Sequence, residues 1–596
     1  MKRLLTSIPL WLFLLHGILI YPFFLPNLSE IILFDEAGYV NSGRTLFQGS
    51  LPIFSSNPLA AFLYLLTYLP VKDTRLWLLH SITFGRGILF ALLWTSLYLI
   101  VRQLRGYAHP ITALALLLIT PVLTNLMSYP SDALFTAMAG FALWQMLCFH
   151  NRLHSVPDST LSEVQNPPSR LRSPTFHLWI GSVFVGLAAL SRNDGLILLP
   201  IFTLLGFILH LRQSPPPRLF SRSSGAVLMA CLLPFIALVG GYLLLYQLRT
   251  GTFTLGTLHR SYVAFEQGQG VAYPHLYPEG NLFFEGQIEA RRLYGTPAEN
   301  DYSILNAIRR NPSAFVQRIW QVMKNLPRQL LSIYGGGVSA LLFLCALRGV
   351  IALYRRKARL LLGILLGWTI FLGVYFLTFF RPGYLLLPFF VPFALAALGI
   401  TAALANFGNR RERAFWFTAM FLFAIIAIPT KEPLLLRAGL AAGVGYAIVW
   451  VLKSRYPDLM ERNLAAFLLL LGVAFAIGRN IPAPEFRVLG SAPDERAVLF
   501  MQRQLPLGAR VASYAPGPVF TARMSYVPLN FELRDLTSDE FGQWMTKQGL
   551  KAIYVDDRLR NNEPWIWANI QEFIGQSLEV VFDSPTVQVL FVTSAP

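Results

Sequence analysis

The chain has 596 residues, of which 54% are hydrophobic and 13% charged, with a mean hydropathy of +0.50, values that a soluble globular protein does not combine. The formal net charge is +18, but the Lys and Arg residues cluster in connections between apolar runs, where they act as topology signals and make nucleic-acid binding the weaker reading. Only three cysteines occur, Cys148, Cys231 and Cys345, all in or beside apolar runs, which argues against a disulfide framework and a thiolate zinc site.

Runs long enough to cross about 30 Å of hydrocarbon are read at residues 8–25, 76–100, 111–126, 133–149, 178–190, 196–211, 226–248, 330–353, 360–379, 385–405, 414–428, 434–452 and 464–477, about thirteen spans. The first is too long for the apolar core of a signal peptide and lacks a small-residue cleavage site, so it is expected to be a permanent anchor. Basic groups recur on every second connection: Lys2 and Arg3, Arg102 and Arg105, Arg152 with Arg170 and Arg172, Arg212 with Arg218 and Arg222, Arg355 to Arg359, Arg410 to Arg413, and Lys453 with Arg455. The positive-inside rule then predicts a cytoplasmic N-terminus, and puts Asp35-Glu36, Asp132, Arg192-Asp194, Arg381 and the C-terminal tail outside, at a multi-pass plasma membrane.

In chain order, the 28–75 connection carries Asp35-Glu36 at the start of a predicted helix that Asp35 is placed to cap, followed by the Pro-bounded apolar piece NPLAAFLYLLTYLP, too short to span. The outward loop 249–328, long for a connection, is expected to hold short helices at 303–309 and 314–324. Residues 1–480 form one membrane unit including both loops, and 485–596 read as an extracytoplasmic domain. In that domain helical spacing at 494–504 and 538–548 alternates with strand patterns at 510–514 and 551–555, and a hairpin is expected at 578–592 about Asp583-Ser584-Pro585. The fold class is thus an α-helical polytopic membrane protein with a C-terminal soluble α/β domain and a partly parallel sheet.

Four sites at the outward ends carry polar groups that apolar spans do not need: Asp35-Glu36, Asp132 in SYPSDALF, Arg192 and Asp194 in SRNDG, and Arg381 in FRPGY. Each also has an ordinary reading, as a helix cap, a turn or an arginine snorkelling to the interface. Together they suggest carboxylates for proton chemistry beside guanidiniums that bind a phosphate through paired N–H groups. No mid-span carboxylate, HExxH, GxSxG or Walker loop appears, so proton relay, metalloprotease, serine hydrolase and P-loop readings lack support.

An apolar first span followed by Asp35-Glu36, Tyr39, Gly49, Pro52 and Pro58, then Asp132, GLAALSRNDGLILLP and RPGYLLLPFF, resembles the GT-C-fold glycosyltransferases, the broad group of the protein O-mannosyltransferases and the lipid A aminoarabinose transferase. The resemblance implies a polyprenyl-phosphate sugar donor, a glycan, lipid or protein acceptor, and membrane lipids as surroundings. It also implies Asp35 as general base with Glu36 assisting, and substrate binding by Tyr39, Asn57, Asp132, Arg192, Asp194 and Arg381. Where the aminoarabinose transferase has Glu-Lys-Pro this chain has Ser56-Asn57-Pro58, so a lysine contact to the donor phosphate and an acidic metal ligand are both missing. A divalent metal therefore stays open. The competing classes are a flippase of a lipid-linked glycan, which needs polar groups along a path through the bilayer, and a non-catalytic scaffold for envelope assembly.

Overall fold

The computed structural model describes residues 34–49, 58–67, 74–104, 110–127, 129–154, 174–212, 221–251, 258–276, 282–335, 337–406, 409–418, 421, 493–529, 533–534 and 536–593. The expected spans at 8–25, 434–452 and 464–477, most of 414–428, and Asn57 lie outside these residues.

Six helices among the described residues are long and apolar enough to cross a membrane: His80–Gln103, Pro130–Leu153, Pro174–Ser191, Asn193–Leu211, Arg222–Arg249 and Arg359–Leu377. Pro130–His154 and Pro174–Ser191 pack side by side, and both touch Leu198–Leu211. Trp94, Phe135, Phe149, Phe202 and Trp368 are fully buried where these helices meet. Helices Gly337–Arg355 and Phe390–Ala405 approach backbone to backbone, because a Cβ on Gly349 would run into the Leu395 carbonyl and one on Gly399 into the Cys345 carbonyl.

Three expected spans are broken; that at 385–405 opens in the 3-10 turn Pro382–Leu386, and its helix, Phe390–Ala405, has only 16 residues. The run at 111–126 divides into Pro110–Ile119 and Val122–Met127 at Pro121, which cannot donate to the helix ladder. The run at 330–353 divides at Gly335, whose φ of +107° stops Pro312–Ile333 before Gly337–Arg355 begins. The breaks at Pro121 and Gly335 touch: a Cβ on Gly335 would sit 2.7 Å from Pro121 Cδ. Asn125 Nδ2 donates to the Ile333 carbonyl at 3.0 Å, supplying a partner that the interrupted helix cannot. The short helix expected at 314–324 is part of the 22-residue helix Pro312–Ile333.

The C-terminal unit is a five-stranded sheet, β1 (Arg510–Ser513), β2 (Ser525–Pro528), β3 (Ala552–Asp556), β4 (Leu578–Asp583) and β5 (Val587–Val592), in the order β2-β1-β3-β5-β4. β1 runs parallel to both β2 and β3, while β3–β5 and β4–β5 are antiparallel. β3 is buried along its whole length between two apolar clusters, as expected of a central strand covered on both faces. The unit docks on the membrane helices: Pro516–Thr521 touches Phe34–Phe47 and Thr74–Gln103, and Phe520 is buried in the same apolar cluster as Trp94 and Leu97. Farther along, the Trp565 ring lies 5.0 Å from the Arg291 guanidinium and 5.6 Å from that of Arg534.

Candidate functional site

The ends of three apolar helices converge on one carboxylate. Asp132 lies in the first turn of Pro130–His154, a position favoured for an anion by the helix dipole. Its side chain does not cap that helix: Oδ1 accepts from Arg192 Nη1, and Oδ2 accepts from Arg381 Nη2 at 2.9 Å. Arg192 follows the last turn of Pro174–Ser191, and Arg381 follows the end of Leu372–Leu377. Arg192 also donates to Asp194 Oδ2 from Nε at 3.1 Å and from Nη2 at 2.6 Å.

The local fold explains why an arginine and an aspartate two residues apart can share one bond set. After Arg192, residues Asn193–Ile197 form a 3-10 turn that folds back on the preceding helix. Gly195 permits this, because a Cβ there would lie 2.6 Å from Ala188 C and Ala189 N. Arg381 likewise precedes a 3-10 turn, Pro382–Leu386, which aims Tyr384 back at both guanidiniums. Arg192 Cζ lies 5.0 Å from the Tyr384 centroid and 5.8 Å from that of Tyr375; Arg381 Cζ lies 3.8 Å from Tyr129 and 5.0 Å from Tyr384. These contacts hold weakly hydrated guanidinium planes against aromatic faces.

Hydrogen-bonding capacity is left over on one side of this cluster. The Asp132 side chain is 4% exposed and fully engaged, whereas that of Arg381 is 28% exposed. Arg381 Nε is buried with no partner, and so is the Tyr375 hydroxyl. Gly383 leaves space beside that Nε, where a Cβ would come within 3.6 Å. Chemically, Asp132 fixes two guanidiniums in place while the Nε–H of Arg381 is left without an acceptor, an arrangement able to take an anion.

The structure therefore brings together Asp132, Arg192, Asp194 and Arg381. Asp35 and Glu36 belong to helix Phe34–Phe47, which starts two residues earlier than an Asp35 cap requires and so puts both in its first turn. The described side chains of that helix begin at Gly38, so those two are placed by backbone alone. Tyr39 is buried in the apolar core on the same helix, which packs on Pro58–Leu66 and Thr74–Gln103. Tyr129, Tyr375 and Tyr384 join the site without having been singled out; the signal available was a phenol beside or inside otherwise apolar runs.

Among the described residues no group of three or more His, Cys, Asp or Glu side chains stands together to hold a metal ion. Asp132 and Asp194 do not fit a divalent cation, since both carboxylates face guanidiniums.

No family model matches the sequence, and no curated protein does. Solved structures similar to this chain include ArnT from Cupriavidus metallidurans bound to undecaprenyl phosphate, with a TM-score of 0.47 and 13% identity over 98% of each chain. The apo oligosaccharyltransferase of Archaeoglobus fulgidus has a TM-score of 0.47 and 13% identity over 94% of this chain and 71% of that one. The archaeal oligosaccharyltransferase AglB from the same organism, in complex with an inhibitory peptide and a dolichol-phosphate, has a TM-score of 0.42 and 13% identity over 88% and 66%.

Proposed function

We propose that this protein is a GT-C-type glycosyltransferase that moves a sugar from a polyprenyl-phosphate carrier to an acceptor hydroxyl at the extracytoplasmic face of the membrane. The observation that carries the reading is Arg381, held on Asp132 by one nitrogen while its buried Nε has no partner, at the end of a helix apolar enough to span the bilayer. An anionic headgroup supplies the missing acceptor atoms, and its lipid tail stays in the hydrocarbon.

In this reading the acceptor oxygen attacks the anomeric carbon as the bond from that carbon to the phosphate oxygen breaks, with inversion. The phosphate leaves with the electron pair, and Arg381 and Arg192 stabilise the charge that develops on it. Asp35 takes the acceptor proton, and Glu36 orients or assists it. Tyr39 and Asn57 belong to the same proposed substrate-binding set, and no step requires a metal. The alternation of basic and non-basic connections supports the assignment of this face to the outside.

The test is sugar transfer from a radiolabelled polyprenyl-phosphate sugar in membranes carrying each variant at matched expression. Asp35→Asn should lower the rate by at least about 10²-fold, and Arg381→Ala should raise the donor KM, costing on the order of 2 kcal/mol. Near-normal turnover by Asp35→Asn would move the base to Glu36. A C-terminal reporter fusion active only in the cytoplasm would overturn the proposed face.

A further inference from the structure

Helix Pro312–Ile333 has one face that neither the site nor the core uses. Val316, Trp320 and Met323 are 64%, 71% and 45% exposed. With Pro327, also exposed, they follow an i, i+4, i+7, i+11 spacing that puts them on one narrow stripe. Beside the stripe lie Gln317, Gln321, Lys324 and Arg328, of which all but Gln321 are exposed. Arg318 and Val322, on the opposite side, are buried. An exposed apolar stripe that includes a tryptophan, next to a basic flank, is unfavourable in water and favourable at a lipid surface.

The depth of this helix follows from its contacts. Arg318 donates from Nη2 to the carbonyl of Thr378, the residue that caps the end of Leu372–Leu377. That helix closes the membrane-crossing segment Arg359–Leu377, and Leu377 itself is 48% exposed. Trp320 is two residues from Arg318, so the stripe stands level with the end of a span, where hydrocarbon gives way to headgroups.

We infer that Pro312–Ile333 docks on the bilayer, with Val316, Trp320 and Met323 in the acyl boundary and Lys324 and Arg328 against anionic lipid headgroups. The occupant of this face is lipid, and the inference is independent of the transferase reading. The basic flank gives the preference for anionic lipid, since each Lys or Arg near such a surface adds to the attraction.

The test places a nitroxide at Val316→Cys, Trp320→Cys, Gln317→Cys or Gln321→Cys in the full chain, with Cys148, Cys231 and Cys345 replaced by alanine. The protein is set in nanodiscs of phosphatidylethanolamine and phosphatidylglycerol. Labels at 316 and 320 should collide preferentially with oxygen, and those at 317 and 321 with a water-soluble nickel chelate. Replacing phosphatidylglycerol by phosphatidylcholine, or introducing Lys324→Glu, should shift 316 and 320 toward the chelate. Chelate access at all four positions would overturn the proposal, as would access by neither reagent at 316 and 320, which would mean a protein cover. Indifference to lipid charge would overturn the headgroup assignment. Without removing any cysteine, Trp320→Phe should reduce the tryptophan emission quenched by brominated lipid; unchanged quenching would overturn the proposal as well.

Discussion

Arg318 donates to the carbonyl of Thr378, three residues ahead of Arg381 in the chain. Its Nη1 donates to the Phe265 carbonyl at 2.9 Å, and its guanidinium lies 4.8 Å from the Phe265 ring, so carbonyls and an aromatic face hold a buried cation. Burial pulls its pKa down to about 10, which still leaves it charged at neutral pH. Gly268 makes this possible, since a Cβ there would collide with both Arg318 Nη2 and the Thr378 oxygen. Arg318→Ala strands the Thr378 carbonyl at about 1–3 kcal/mol, while the Phe265 carbonyl keeps its bond within helix Leu258–Ala272. Both Arg318→Ala and Gly268→Ala should lower the thermal midpoint in detergent, and a midpoint unchanged in both would refute this account.

Asp132 and Arg381 should act as a unit. Asp132→Asn keeps the shape but removes the charge that orients two guanidiniums, so its effect on donor use should overlap with that of Arg381→Ala. A double-mutant cycle on kcat/KM for the donor should return a coupling of about 0.5–3 kcal/mol. Strict additivity would mean that Asp132 serves the reaction by some route other than Arg381.

The Tyr375 hydroxyl separates structural from functional roles. It is buried without a partner, so Tyr375→Phe should leave the thermal midpoint unchanged or raise it slightly. If that hydroxyl meets the ligand beside Arg192, transfer should fall about tenfold, the equivalent of roughly 1.4 kcal/mol. Unchanged transfer would assign Tyr375 to packing alone.

In the C-terminal unit, Thr537 and Glu540 form a capping box at the start of Ser538–Gln548. Hydrogen bonds from the Thr537 backbone and side chain hold the Glu540 carboxyl below its ordinary value of 4.5. A depressed carboxylate stabilises the fold above the unfolded value and loses that contribution as pH falls through the folded one. Hydrogen-exchange protection of this helix, corrected for intrinsic rates, should thus be higher in wild type than in Glu540→Gln at pH 7, with the gap closing below about pH 4.5. A gap that persists in acid would exclude the carboxylate as its source.

Sequence patterning made the architecture legible wherever a local period governs the structure. The six long apolar helices and the β4–β5 hairpin lie where hydropathy and turn residues put them. It failed where tertiary contacts decide. The Gly335-Gly336-Gly337 run is a local break signal that hydropathy alone passes over, and what stays invisible locally is its support by Pro121 and Asn125 from elsewhere in the chain. β2 was missed because its four residues, SYVP, are too few to show alternation. At the site, Asp132, Arg192, Asp194 and Arg381 were visible as polar groups at apolar ends. Their mutual pairing was not, since 249 positions separate Asp132 from Arg381. Tyr375 stayed hidden because a single phenol barely lowers the hydropathy averaged over an apolar run.

The burial of Phe520 among residues of the first membrane helices has a consequence for biosynthesis. A hydrophobic core usually closes soon after the segments that build it leave the ribosome, but here one of its side chains arrives more than four hundred residues later than Trp94. The early helices must therefore wait, inserted but incompletely packed, until the last part of the chain has been made and folded onto them. A chain that stops before residue 510 should insert and still be recognised as unfinished by quality-control proteases, and adding the missing segment as a separate polypeptide should extend its lifetime.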